Sequence, residues 1–307
     1  MARERMEARD WLLLILLSII WGGSFLFMGI LVRELPPLTI AALRLLIAAT
    51  LLDIVFRSHI KFLKSMWKDF LVLGTLNNTV PYSLILWAQL HIPSSLASML
   101  NSTSPFFTSI MAHFLTEDEK LTLKKVSGII LGLSGVFLIF ASNKVDSVNL
   151  SFLGQLSVIS AVICYSYATI YGRKFYSRGL PATAVASGQL NLAAITTAPI
   201  ALALERPWNI RSLSQNSIGA LVGLSVISTA LAYLIFFKLL EASGATNTNL
   251  VTLLIPVTAT LLCTAFLGEE LEFEHLAGMT VIALGLLITD GRLFDWLKAM
   301  FFRLIEI

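Results

Sequence analysis

The chain has 307 residues, of which 56% are hydrophobic and only 13% are charged, and its mean hydropathy is +0.81. Soluble domains carry about 25% charged residues, so this composition excludes an ordinary soluble protein and predicts that lipid covers much of the surface. The formal net charge of +3 is therefore less informative than the distribution of the charges along the chain. Two cysteines, Cys164 and Cys263, lie in apolar runs without metal-ligand spacing, which favours small buried residues.

Apolar stretches long enough to cross a bilayer recur along the whole chain. A hydrocarbon core of about 30 Å requires about 20 apolar residues in a helix. The first run lacks a small-x-small cleavage site, so we interpret it as a retained helix rather than a signal peptide. The sequence predicts an all-α integral membrane protein with ten transmembrane helices near residues 11–32, 38–56, 69–90, 94–115, 125–142, 151–171, 182–203, 216–237, 246–267 and 274–290.

Basic residues divide unequally between the two sides that ten spans define. The termini and even-numbered connections carry 17 Lys and Arg, the odd-numbered connections carry 4, and Arg44 lies within the second span. Because cytoplasmic loops are rich in Lys and Arg, this split predicts an inner-membrane protein with both termini in the cytoplasm. Residues 291–307 have apolar side chains at helical spacing, which predicts an amphipathic helix on the cytoplasmic leaflet.

The sequence also repeats itself at a nearly constant offset. With an offset of 151 residues, the third and fourth spans meet similar residues in the eighth and ninth. These pairs are Asn78 and Thr229, Tyr82 and Tyr233, Pro105 and Pro256, Asp118 and Glu269, and Glu119 and Glu270. Near the start the offset is 144 or 145, which pairs Trp21 with Tyr165 and Arg44 with Gln189.

A repeat of five spans has a structural consequence. Consecutive copies of a unit with an odd number of spans enter the membrane from opposite sides. Residues 1–143 and 150–290 are therefore predicted to form two inverted five-helix repeats. Such repeats are typical of secondary transporters, whose halves rock about a site near the membrane midplane.

Short motifs in both halves carry a family resemblance. The first half contains Trp21-Gly22-Gly23-Ser24-Phe25, Ala41-Ala42-Leu43-Arg44, Pro105, Phe114-Leu115, Glu119, Gly128 and Gly135. The second half contains Ala232-Tyr233, Pro256, Leu267-Gly268-Glu269-Glu270, Gly278 and Gly285. In this order the motifs resemble the EamA-type repeats of the drug/metabolite transporter superfamily, over nearly the whole chain.

The resemblance implies a ten-helix exporter or facilitator of small metabolites. It also implies a central cavity lined mainly by the first, third, fourth, sixth, eighth and ninth spans. One position departs from the family pattern, because several relatives carry a Lys where this chain has Gly29. This departure weakens the case for an anionic substrate.

Neutral polar residues form stripes on four of the spans. Asn78 and Tyr82 stand four residues apart on one face of the third span, as do Thr229 and Tyr233 on the eighth. The stripe on the fourth span is Ser94, Ser98, Asn101 and Pro105, and that on the ninth is Ala245, Asn249, Thr252 and Pro256. Each proline leaves a backbone carbonyl available to a solute or water. These groups either line a cavity together or only join helices to one another.

Aromatic and basic residues complete the predicted site. Trp21 and Tyr165 lie near mid-span, which an interfacial anchoring role does not explain. Arg44 either contacts a substrate carboxylate or a gate, or packs helices and snorkels outward. The predicted substrate-binding residues are Trp21, Asn78, Tyr82, Ser98, Asn101, Tyr165, Thr229, Tyr233, Asn249 and Thr252. Gating or helix packing is predicted for Arg44, Pro105 and Pro256.

These features favour a transporter of a small neutral or zwitterionic metabolite, with an amino acid or related compound preferred. No Asp or Glu lies near the centre of a span, which favours facilitated diffusion or exchange, and export is the other mode that we predict. A drug or nucleotide-sugar carrier is the main alternative. An intramembrane enzyme is disfavoured because the histidines are scattered and no H-E-x-x-H or G-x-S-x-G run occurs. The sequence predicts no metal, cofactor or nucleic-acid partner and leaves the oligomeric state open.

Overall fold

A computed structural model describes residues 6–56, 60–141, 150–209 and 212–290. All regular secondary structure in these ranges is helical, as predicted. The helices are α1 Ala8–Leu31, α2 Pro37–Val55, α3 Ile60–Ser65, α4 Trp67–Gly74, α5 Val80–Ala88, α6 Ser94–Asn101, α7 Ser104–Leu115, α8 Leu123–Ala141, α9 Leu150–Ser177, α10 Ala182–Glu205, α11 Gln215–Val222, α12 Ala232–Thr248, α13 Val251–Leu267 and α14 Phe273–Asp290. A first π segment, Thr75–Thr79, joins α4 to α5, and a second, Gly223–Leu231, joins α11 to α12. A 3-10 turn covers Pro207–Asn209.

Seven of the described helices are long and apolar enough to cross a membrane. They are α1, α2, α8, α9, α10, the run Gln215–Gly244 and α14. The predicted spans 69–90 and 94–115 fall on helices that are interrupted, the first by a π segment and the second between α6 and α7. The predicted amphipathic helix 291–307 lies outside the described residues.

The predicted span 246–267 covers the last residues of α12 and the whole of α13, with a short break at Asn249 and Leu250. Gly244 has a φ of 77°, a left-handed conformation that glycine adopts without strain and that interrupts a helix. The chain therefore bends within α12, at Gly244, and a hydropathy window cannot detect a bend made by one backbone angle.

Prolines fix where several helices begin. Pro37 and Pro105 lie in the first turns of α2 and α7, and Pro93 and Pro181 immediately precede α6 and α10. In the first turn of a helix the backbone N–H has no partner within the helix, so proline loses no hydrogen bond there. The fixed φ of proline is also already suitable for a helix.

Two glutamates bind helix N-termini at one end of the bundle. Glu205, the last residue of α10, accepts hydrogen bonds from the N–H groups of Leu38 and Thr39 at 2.9 and 2.6 Å. Glu269, just after α13, accepts two such bonds from the first turn of α6 at 2.7 and 2.9 Å. A carboxylate is favourable there because the first N–H groups of a helix lack partners and carry partial positive charge.

A third carboxylate lies at the same end. Glu34 accepts a hydrogen bond from the N–H of Ser214 at 2.9 Å, and the bonds from Ser214 lower the pKa of this carboxyl. Each of the three glutamates binds a helix start in the other half of the chain. We call Glu34, Glu205 and Glu269 the glutamate clamp.

The opposite end is held by ion pairs instead. Asp69 pairs with Lys174 and with Arg178, the latter at 2.9 Å, and Asp118 pairs with Arg173. The Arg173 guanidinium lowers the pKa of the Asp118 carboxyl. The Asp118–Arg173 pair is exposed and contributes little to stability, whereas Asp69 and Lys174 are half-buried.

The helices α8 and α14 pack with their backbones nearly in contact. A Cβ atom added at Gly135 would lie 2.6 Å from the carbonyl oxygen of Gly278, and one at Gly285 would lie 2.6 Å from that of Gly128. These glycines are also the repeat-equivalent ones in the sequence. Glycine is therefore required for this close approach.

We expect Gly135→Ala to lower the free energy of unfolding by about 1–3 kcal/mol, because the added methyl group overpacks a backbone contact. The matched control is Gly219→Ala in α11, where a Cβ would meet no heavy atom within 4 Å. The measurement is the apparent melting temperature of the purified protein in detergent. Equal melting temperatures for the two variants would contradict the close packing of α8 and α14.

Candidate functional site

A cavity of about 410 Å³ lies among helices from both halves of the chain. Its wall comes from α1, α2, α4–α7, α9, α10, α12, α13 and both π segments, and no described residue of α8 or α14 lines it. This volume lies in the range of small-molecule sites. Compared with the spans that the family resemblance implied, the structure adds α2 and α10.

Lining residues differ in exposure between the two ends of the bundle. Tyr176, a lining residue in the last turn of α9, is 50% exposed. At the other end the lining residues Met28 and Ile85 are 2% and 3% exposed. The latter end is the one that carries the glutamate clamp.

Six of the ten predicted substrate-binding residues line this cavity: Trp21, Tyr82, Asn101, Tyr165, Tyr233 and Thr252. Arg44 also lines it. The Trp21 ring lies 5.6 Å from that of Phe236 in α12, so aromatic side chains from both halves form part of the wall. The repeat-equivalent tyrosines, Tyr82 and Tyr233, both lie in it.

The other four predicted residues lie elsewhere. Asn78 is fully buried, and its amide has no partner among the described residues. Ser98 donates to the carbonyl oxygen of Ser95 at 2.6 Å, and Thr229 is buried behind the wall. Asn249 is exposed in the turn before α13.

The π segments explain the shift from Asn78 and Thr229 to their neighbours. A π turn contains one more residue than an α turn, which rotates the preceding side chains by about 100°. Asn77 and Ser228 therefore line the cavity in place of Asn78 and Thr229. The prediction placed Asn78 and Thr229 in the cavity because they lie four residues before Tyr82 and Tyr233, which puts them on the same face only of an unbroken α-helix.

Arg44 is oriented toward the cavity by neutral groups. Its side chain is 5% exposed, and its Nε donates to the Thr229 hydroxyl at 2.8 Å. The guanidinium carbon lies 3.9 Å from the ring centroid of Tyr82, and one terminal nitrogen lies 3.8 Å from the Met28 sulfur. No carboxylate of the described residues pairs with it. The Arg44 side chain therefore does not extend outward to the membrane surface, as the snorkelling alternative would require.

Gln189, in the second half of the chain, contacts the π segment of the first half. This repeat-equivalent of Arg44 accepts a hydrogen bond from the Asn77 amide at 2.9 Å, and its Nε2 lies 3.4 Å from the Tyr233 hydroxyl. Arg44 thus contacts the second π segment, and Gln189 contacts the first.

The two predicted prolines stand next to lining residues. Pro256 lies inside α13 and has no N–H to donate to the carbonyl of Thr252, four residues earlier. Pro105 lies in the first turn of α7, after the break that follows Asn101 at the end of α6. Both Asn101 and Thr252 line the cavity. Pro256 therefore leaves a backbone acceptor next to the wall.

Sequence reasoning missed several lining residues, including Asn77, Gln189, Phe236, Phe237 and Tyr176. The two phenylalanines could have been found, because they follow Tyr233 at helical spacing of three and four residues. Gln189 could have been found as the repeat-equivalent of Arg44, whereas Asn77 gave no separate signal, since the π segments are not visible in the sequence pattern. Within the described ranges, no group of three or more His, Cys, Asp or Glu side chains is arranged to hold a metal.

A bundle of long apolar helices around a solute-sized cavity is typical of multi-pass membrane transporters. The model of the EamA-like transporter family matches residues 10–141 and 152–289, and the chain belongs to this family. The predicted family is therefore confirmed. The prediction of a transporter rather than an enzyme is also confirmed, because the family and its relatives are transporters.

Curated relatives match over nearly their full length. An "Uncharacterized transporter" of Archaeoglobus fulgidus is 30% identical over 91% of this chain and 98% of its own. A "Probable amino-acid metabolite efflux pump" of Salmonella typhimurium is 26% identical over 92% and 95% of the two chains. One crystal structure superposes with a TM-score of 0.65 at 17% identity, covering 92% of this chain and 96% of the other, which supports the fold alone.

We expect Thr229→Val to lower the free energy of unfolding by about 1.5–3 kcal/mol, because the buried Arg44 Nε loses its acceptor. The control is Thr280→Val, whose exposed hydroxyl bonds only to its own helix. The measurement is the apparent melting temperature of each purified variant in detergent. A Thr229→Val protein as stable as the control would show that the Arg44 contact contributes nothing.

Proposed function

We propose that the protein moves a small neutral or zwitterionic metabolite of the amino-acid type across the cell inner membrane by alternating access. The observation that carries this proposal is the cavity, whose wall comes from both halves of the chain. We take the end at Tyr176 as the open one and the end at Met28 as the closed one. A solute bound there reaches the second side only if the closed end opens and the open end closes.

The proposal includes ten transmembrane helices in two inverted repeats, residues 1–143 and 150–290. In this arrangement α4 with α5, α6 with α7, and α11 with α12 each form one span around a break. Two features support it. The π segments lie at repeat-equivalent positions, and the contacts of Arg44 and Gln189 are exchanged between the halves.

The charge distribution supports an orientation. With 17 basic residues on the side of the termini and 4 on the other, both termini face the cytoplasm. The mouth at Tyr176 lies at the cytoplasmic end of α9 in this orientation, and the glutamate clamp closes the outer end. The cavity is then open to the compartment from which an exporter loads.

The cavity wall favours an amphipathic solute. Aromatic rings suit an apolar side chain, while the amide and hydroxyl groups suit polar ends. A nucleotide-sugar carrier would need several cations, whereas the described lining residues include one basic side chain, Arg44. Two relatives named "Probable amino-acid metabolite efflux pump", from Salmonella typhimurium and Escherichia coli and 26% and 25% identical, support the amino-acid type.

The lining also bears on energy coupling. No Asp or Glu occurs among the described lining residues, and carboxylates are the usual groups that couple transport to protons or sodium. We therefore favour facilitated diffusion or exchange. Counterflow, which needs no ion gradient, is then the suitable assay.

The direct test is counterflow of a panel of amino acids, amines and sugars in proteoliposomes. We expect at least one amino acid to exchange, and we expect Trp21→Ala to raise its half-saturating concentration about tenfold through loss of aromatic wall. Trp67→Ala is the control, because this 49% exposed tryptophan does not line the cavity. Absence of exchange for every amino acid would refute the proposed substrate class.

Alternating access predicts that the glutamate clamp controls the outer end. Glu269→Gln should favour opening of that end by about tenfold or more, because charge-assisted bonds to α6 are lost. The measurement is labelling of Met28→Cys from outside by an impermeant maleimide, with Cys164 and Cys263 replaced. The exposed Glu274→Gln serves as the control. Equal labelling rates in the two variants would exclude Glu269 from gating.

A further inference from the structure

The positive charge of Arg44 has no counter-ion among the described residues. A guanidinium inside a membrane protein is costly unless it is paired, and such cations commonly mark substrate pathways. The Thr229 hydroxyl and the Tyr82 ring stabilise the group, but neither neutralises it. Among the described residues no carboxylate lies within ion-pairing distance, so the charge is left for something that enters the cavity.

Helix packing does not account for this charge. Gln189 holds the equivalent position in the second half and binds the first π segment through a neutral amide. A neutral side chain is thus sufficient to join this helix position to a π segment. The charge of Arg44 requires a different explanation.

We propose that Arg44 binds the free carboxylate of the substrate and thereby selects carboxylic zwitterions over the corresponding amides and amines. This inference rests on the proposed function and specifies the ligand chemistry of the same cavity. A zwitterion is neutral overall, so the missing basic residue at Gly29 does not weigh against it.

The contacts of Arg44 leave its outer edge available to a ligand. Nε is fixed by Thr229, and the Tyr82 ring covers one face of the guanidinium. Of the two terminal nitrogens, one has only the weak Met28 sulfur acceptor, and the other has no acceptor in the described part of the chain. A planar guanidinium with free N–H groups at one edge is suited to a carboxylate.

A second orphaned group lies in the same cavity. The side-chain oxygen of Asn101 is buried and accepts no hydrogen bond from any described residue. An acceptor without a donor suits an ammonium group, which donates three hydrogen bonds and accepts none. The cavity therefore offers a cation for the carboxylate of an amino acid and an acceptor at its wall for the ammonium.

The test compares leucine and phenylalanine with their primary amides and their decarboxylated amines, by ligand-induced thermal stabilisation and by counterflow. In the unmodified protein, loss of the carboxylate should weaken binding about 10- to 100-fold, the range for a charge-assisted hydrogen bond. Arg44→Gln, which introduces the residue found in the other half, should reduce this preference to less than about threefold.

Arg44→Lys keeps the charge and should retain part of the preference, which covers the case that Arg44→Gln does not fold. Arg9→Gln removes an exposed arginine and should leave the preference unchanged. If amino acids and amides bind equally well, or if Arg44→Gln keeps the full preference, the role of Arg44 is refuted while transport stands. If no compound binds or exchanges, the proposed function is refuted and the inference fails with it.

Discussion

The hydrogen bond between Arg44 and Thr229 connects a permanent charge in the first half to a π segment in the second. In a membrane interior a guanidinium must be held by protein groups, because lipid offers none. Thr229, Tyr82 and Met28 hold it from three directions, and this fixes the relative position of α2, α5 and the second π segment. The cavity wall on this side depends on that arrangement. A change in the relation of the halves must break or remake these contacts, which links the charge to any rocking motion.

The π segments set which polar groups a solute would meet. Each adds a residue to a turn at equivalent positions, so that Asn77 and Ser228 face the cavity while Asn78 and Thr229 turn toward neighbouring helices. Thr229 is then free to accept from Arg44 instead of from a solute. Asn78, its equivalent, is buried without a partner among the described residues, since Gln189 binds the preceding residue, Asn77. The two halves therefore share a backbone geometry but differ in chemistry.

The two ends of the bundle differ in what holds them. At one end, the glutamate clamp places carboxylates on helix N-termini, where charge and unpaired N–H groups favour them. At the opposite end, Asp118, the repeat-equivalent of Glu269, pairs with Arg173 on the surface. Half-buried Asp69 at the same end accepts hydrogen bonds from Tyr171, Lys174 and Arg178. The equivalent acidic positions Asp118 and Glu269 therefore bind a surface arginine in one half and a helix N-terminus in the other.

The sequence by itself determined the class of protein and most of the helix positions. Low charge and long apolar runs require lipid, and the paired prolines, tyrosines and glycines mark two related halves. It also identified Trp21, Tyr82, Asn101, Tyr165, Tyr233 and Thr252, which line the cavity. Only the tertiary structure decided that Asn77 rather than Asn78 lines the cavity, that the chain bends at Gly244 and that the partners of Arg44 are neutral. The reason is that hydropathy and helical spacing report burial on an ideal α-helix. A π turn, a single left-handed residue and a contact between distant helices depend on backbone angles and packing that no local pattern specifies.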